Sequence, residues 1–142
     1  MHGRSAWWCL AWLAVMVCNT AHATLAPEAA YQLHCMGCHG AGGSGDATRV
    51  PDVNQAMLRF AATVEGRNYL VRVPGIATSP LSDADLTALL NWMLKDFGAP
   101  GASRPADFSV AEVSQARRHP LADVAAARLR VMAQQWPDPA NN

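Results

Sequence analysis

The sequence predicts an all-α protein. Apolar residues recur at helical spacing in successive segments, and these are bracketed by residues that start and stop helices. No alternating run of useful strand length is present, and no internal repeat. With 142 residues there is room for one modest domain. Hydrophobic residues make up 51% and charged residues 15%, which excludes a disordered chain. Basic and acidic residues balance at 11 each, so there is no cationic face of the kind that binds nucleic acid.

In chain order, residues 1–23 read as a secretory signal. His2 and Arg4 precede an apolar run from Ala6 to Cys18, and Ala21-His22-Ala23 offers small residues for a peptidase. The run is shorter than the roughly 20 residues that span a bilayer. An uncleaved anchor, or a lipoprotein built on Cys18, are the alternatives; Val17 sits where the latter wants a small residue. The reading predicts a periplasmic protein with no membrane span in the mature chain.

Residues 24–98 are expected to form the main domain. Pro27 suits a first helical turn, and the helix should run to about Cys38. Gly40, Gly42, Gly43, Gly45 and Pro51 make residues 40–52 a loop. A short helix should cover Val53 to Thr63, and Gly66 to Leu70 a turn or short helix. Ser82 caps the next helix, with Asp83 and Asp85 in its first turn. Leu86, Leu89, Leu90, Met93 and Leu94 give it an apolar stripe, and Lys95 and Gly98 end it. Residues 99–142 are a linker and a helical extension, the linker covering 99–107. Ser109 and Glu112 form a capping box, and Pro120 opens a last helix to about Gln135. Its expected stripe is Leu121, Val124, Ala125, Leu129 and Met132.

The chemistry sits in Cys35-Met36-Gly37-Cys38-His39. C-x-x-C-H is the attachment signature of c-type haem. Two thiols at this spacing reach two vinyl groups on one porphyrin edge, and the adjacent histidine binds iron from the proximal side. A redox dithiol would open a helix after a strand, and nothing before Cys35 resembles one. Zinc needs four ligands, and the mature chain adds only His34 and His119.

Over about residues 27–97 the chain resembles the class I monohaem c-type cytochromes. The resemblance rests on Tyr31 to Gly40 around the motif, Val50-Pro51, Leu81-Ser82-Asp83, and Leu89 to Leu94 with Trp92. It implies a small cytochrome c-like helical fold around one covalent haem. It further implies that Tyr31 and Trp92 touch where the N- and C-terminal helices cross. The Pro51 carbonyl would accept the proximal histidine's ring N–H, and Arg59 would be either a propionate partner or a surface cation.

The expected cofactor-binding residues are therefore Cys35 and Cys38, with His39 as iron ligand. The loop from Arg67 to Pro80, where many class I members place a distal methionine, holds neither methionine nor histidine. Met57 ranks first among protein ligands on the distal side. Met93, His119 across a folded-back extension, and an open site are the alternatives, and His34 should point away from iron. The expected function is a periplasmic carrier of single electrons between redox proteins such as a dehydrogenase and an oxidase or reductase, not an enzyme. Two other readings stay open. One is a haem enzyme or sensor with Tyr69 and Arg72 as distal polar groups. The other is a haem subunit docked to a larger enzyme through residues 99–142.

Overall fold

Pro27 opens the first helix where the sequence places it, at a position whose missing N–H costs nothing. The computed structural model describes residues 24–46, 49–98 and 101–135. The signal read in residues 1–23 lies outside the described residues. Among these the chain is helical, without strands. In order the helices are α1 (Pro27–His34), α2 (Met36–His39), α3 (Val53–Ala61), α4 (Val64–Arg72), α5 (Pro74–Ala77), α6 (Asp83–Asp96), α7 (Val110–Arg117) and α8 (Val124–Gln135).

Local chemistry explains the ends. Ser82 Oγ accepts from the Asp85 N–H at 3.1 Å and starts α6, with Asp83 and Asp85 against the helix dipole. Thr63 Oγ1 caps α4 in the same way, from Gly66 N at 3.1 Å. That cap extends α4 beyond the expected stretch from Gly66 to Leu70. Two further boundaries differ from expectation. The first helix breaks at Cys35 instead of running to Cys38, and α5 forms inside what reads as a loop. At Val73 the backbone turns extended (φ −56°, ψ 129°) ahead of Pro74, as the steric restriction before proline requires.

Helices α1 and α6 pack together, α3 lies against α4 and α6, and α7 and α8 cover α4. Tyr31, Met57, Leu86, Leu90 and Leu94 are fully buried, and so are Val71 and Val113. Val113 belongs to α7, so one core runs through the main domain and the extension, with Phe108, Ala116, Ala127 and Val131 buried in it too. Burying side chains of this size is worth about 1.5–3 kcal/mol each for the larger aliphatics.

The last helix starts at Val124, not at Pro120. Leu121 N donates to Arg72 O at 2.9 Å and holds residues 120–123 against α4, and Asp123 Oδ1 accepts from Ala126 N at 2.9 Å. The inward face then falls on Val124, Ala127 and Val131, while Leu129 is 67% exposed and Ala125 and Met132 also face out. The expected stripe was shifted because several apolar positions of α8 satisfy helical spacing and only docking chooses among them.

Arg67 and Asn91 fasten the start of the extension. Arg67 pairs with Glu112 through two bonds, Nε to Oε1 at 2.7 Å and Nη2 to Oε2 at 2.8 Å, and also donates to the carbonyls of Ala106 and Asp107. Its guanidinium lies 4.0 Å from the centre of the Phe108 ring. Asn91 brackets the Phe108 backbone, donating to its carbonyl at 3.0 Å and accepting its N–H at 2.7 Å. The hydrogen bonds from Arg67 hold the Glu112 carboxyl below its usual range.

A carboxylate with a depressed folded-state pKa stabilises the fold fully above its unfolded value. The contribution is lost as pH falls through the lower folded value. Docking of α7 should therefore be intact above about pH 5 and weaken through the acid carboxylate range. Glu112→Ala should remove about 1–2 kcal/mol after solvent screening and flatten that acid dependence. Denaturant titrations of both proteins across pH check this.

Candidate functional site

The motif is presented by a break and a restart of helix. Cys35 leaves α1 at φ −124°, ψ −39°, and its carbonyl accepts from Cys38 N at 3.1 Å and His39 N at 3.0 Å. Gly40, at φ +71°, then turns the chain away. Cys35 is half-buried and Cys38 exposed, and both are free thiols. Burial, and then the neighbouring Cys38, push the Cys35 thiol up.

The loop of residues 40–52 returns to the histidine. Gly45 N donates to His39 O at 2.9 Å, and Asp46 N to Val50 O at 2.9 Å. His39 Nδ1 ends 3.1 Å from Pro51 O. A carbonyl only accepts, so Nδ1 carries a proton, and in the neutral ring Nε2 keeps its lone pair for another partner. Gly45 makes this possible. It sits at φ +61°, and a Cβ there would lie 2.2 Å from Val50 O.

A cleft opens beside the motif. Cys35, His39 and His34 line one part, Val53 another, and Gly75, Ile76 and Ser79 from the α5 region a third. Leu86, Leu89, Leu90 and Met93 of α6 supply the rest. An apolar wall of this kind, with the imidazoles of His34 and His39 and the Cys35 thiol in its lining, suits an apolar group better than a polar substrate. Behind it, Tyr31 donates to Gly40 O at 2.7 Å and packs on Trp92 at 5.6 Å and Phe97 at 5.2 Å. The expected contact of Tyr31 with Trp92 is thus present, and it ties the motif's turn to α6. Burial keeps the Tyr31 phenol protonated by pushing its pKa up.

Residues 26–95 match the family described as Cytochrome c. Over this segment, just under half of the chain, the protein is similar to that family. No curated protein and no solved structure matches the chain. Similarity to that family supports covalently held haem c and a role in electron transfer. The residues present fit that group on three counts: two free thiols at the attachment spacing, a histidine whose tautomer leaves Nε2 available, and an apolar cleft beside them. The matched segment ends inside α6, so α7 and α8 lie beyond it.

Other candidates fall elsewhere. Met57 is fully buried in the core on α3 and does not line the cleft, whereas Met93 does. His34 lines the same cleft as His39. His119 is exposed on another face, beside Asn68, Arg72 and Glu112, so the extension does not fold across the cleft. Tyr69 stacks on Phe60 at 5.1 Å, and Arg72 donates to His119 O at 2.6 Å, which removes both from any distal role there. Arg59 is exposed on α3. Arg67, Asn91 and Arg117 carry no sequence signal, because their partners, most of them main-chain atoms, lie 17 or more residues away.

Gly45→Ala should cost at least about 2 kcal/mol from the left-handed strain and the clash with Val50 O. Gly42→Ala, with nothing within 4 Å of the added carbon, should stay within about 0.5 kcal/mol. Denaturant midpoints of the two variants give the comparison.

Proposed function

We propose that the chain is an exported, periplasmic cytochrome that carries single electrons on one haem c. The observation that carries this reading is the hydrogen bond from His39 Nδ1 to Pro51 O, made beside two unpaired cysteines. It fixes the ring and raises the basicity of the nitrogen left free. Cys35 and Cys38 would hold the ring through thioethers, and His39 would bind iron. When bound, haem supplies a one-electron couple at its iron.

The remaining residues set the surroundings. Leu86, Leu89, Leu90 and Ile76 exclude water from the cleft, and a less polar site favours the less charged iron state. Exposed Cys38, with Leu33 69% exposed nearby in sequence, puts the motif's outer edge at the surface. Partners for electron exchange dock there through small, transient interfaces. Charge balance across the chain predicts weak electrostatic steering. On the distal side this reading carries two methionines: Met57, expected from the sequence, and Met93, which lines the cleft.

Two measurements test the proposal. The exported protein should show pyridine haemochrome bands and haem staining on a denaturing gel. Both should vanish in the Cys35→Ala, Cys38→Ala double variant. A colourless wild-type protein overturns the reading. Near-infrared absorption of the ferric protein reports sulfur ligation, and the band should disappear in whichever of Met57→Ala and Met93→Ala has lost the ligand. A wild type without the band that binds carbon monoxide rapidly has an open site instead.

A further inference from the structure

Arg117, the last residue of α7, lies outside the matched segment yet reaches back into it. Its guanidinium makes four hydrogen bonds. Nε donates to Ala77 O at 3.2 Å, Nη2 to Ser79 O at 2.6 Å, and Nη1 to Leu81 O and Asp83 Oδ1, each at 2.9 Å. The arginine side chain is only 13% exposed. All four acceptors belong to one stretch, from the end of α5 to the start of α6. That stretch has no regular helix to use its carbonyls, since α5 is a single turn ending at Ala77.

The same stretch builds the cleft. Ile76 and Ser79 line it, and Asp83 begins the helix whose Leu86, Leu89 and Met93 line it further on. One planar cation therefore holds two walls of the cleft at a fixed separation from outside. A lysine has no fork with which to span three carbonyls and a carboxylate. Arg117 is itself anchored, because Ala116 beside it and Val113 one turn back on the same helix are buried.

We propose that Arg117 is a positioning residue that keeps the α5 wall of the cleft closed, and so limits access of water and small ligands to bound haem. The inference rests on the haem reading above. It concerns only this chain's own residues, and it gives the extension a task at the site without any contact with the ring.

The test uses the full-length exported protein, after pyridine haemochrome assay has established haem content. Association of imidazole with the ferric protein is followed by stopped flow, and the reduction potential by titration. Arg117→Ala is expected to raise the imidazole on-rate about tenfold, the scale set by losing charge-assisted restraint on the wall. Its potential should fall, because admitted water favours the more charged ferric state. Arg117→Lys should show the same direction and serves if the alanine variant fails to mature. Glu112→Ala loosens the extension at a different contact and is expected to lower thermal stability while keeping the wild-type on-rate. A haem-loaded Arg117→Lys or Arg117→Ala with the wild-type on-rate overturns the inference and leaves the haem reading standing. Equal acceleration in Glu112→Ala overturns it too, by moving the effect to the extension as a whole. Wild-type protein lacking haemochrome bands removes the haem reading and this inference together.

Discussion

The imidazole of His39 has one orientation because the carbonyl of Pro51 holds one of its nitrogens. Everything around the motif serves that contact. Residues 40–52 must leave the histidine and come back within hydrogen-bonding distance of it, which requires left-handed backbone at Gly40 and Gly45. The turn itself is pinned by the Tyr31 hydroxyl on Gly40 O. Tyr31 in turn is wedged against Trp92 and Phe97, which close a three-ring cluster with Trp92 and Phe97 5.5 Å apart. The ring orientation at the mouth of the cleft is thereby coupled to the packing of α1 on α6, the helix that furnishes most of the cleft's apolar wall.

Much of this was legible in the sequence where the signal is local. The motif's spacing, Pro27, the Ser82 cap, the Ser109–Glu112 box and the stripe of α6 each depend on residues a few positions apart. The proline twelve residues after His39 and the pairing of Tyr31 with Trp92 came through family resemblance, not through periodicity. What stayed hidden is long-range. The buried face of α8 is not legible because Ala127 and Val131 compete with Leu129 and Met132 on equal spacing, and contact with α4 decides. Met57 and Met93 look alike on paper, two methionines on helices, and only packing puts one in the core and the other at the cleft.

The extension is fastened by a chemistry unlike that of the core. Arg67 and Arg117 each spread one delocalised charge over several fixed oxygens, most of them main-chain carbonyls. Exposed ion pairs are weak, but these guanidinium groups are 14% and 13% exposed, and their donors are consumed by partners that cannot move away. Val113 and Phe108 add the apolar half of the joint. The result is a second layer that braces α4 and the approach to α6 from behind.

The stretch before α7 carries no regular structure, yet it is measured. Asn91 grips the Phe108 backbone from both sides, and Arg67 takes the two carbonyls just ahead of it. Adding or deleting one residue between Ala106 and Phe108 would put these bonds out of register. Connecting segments usually tolerate changes in length. This one behaves as a ruler, so natural drift along it should proceed by exchange of side chains at constant length.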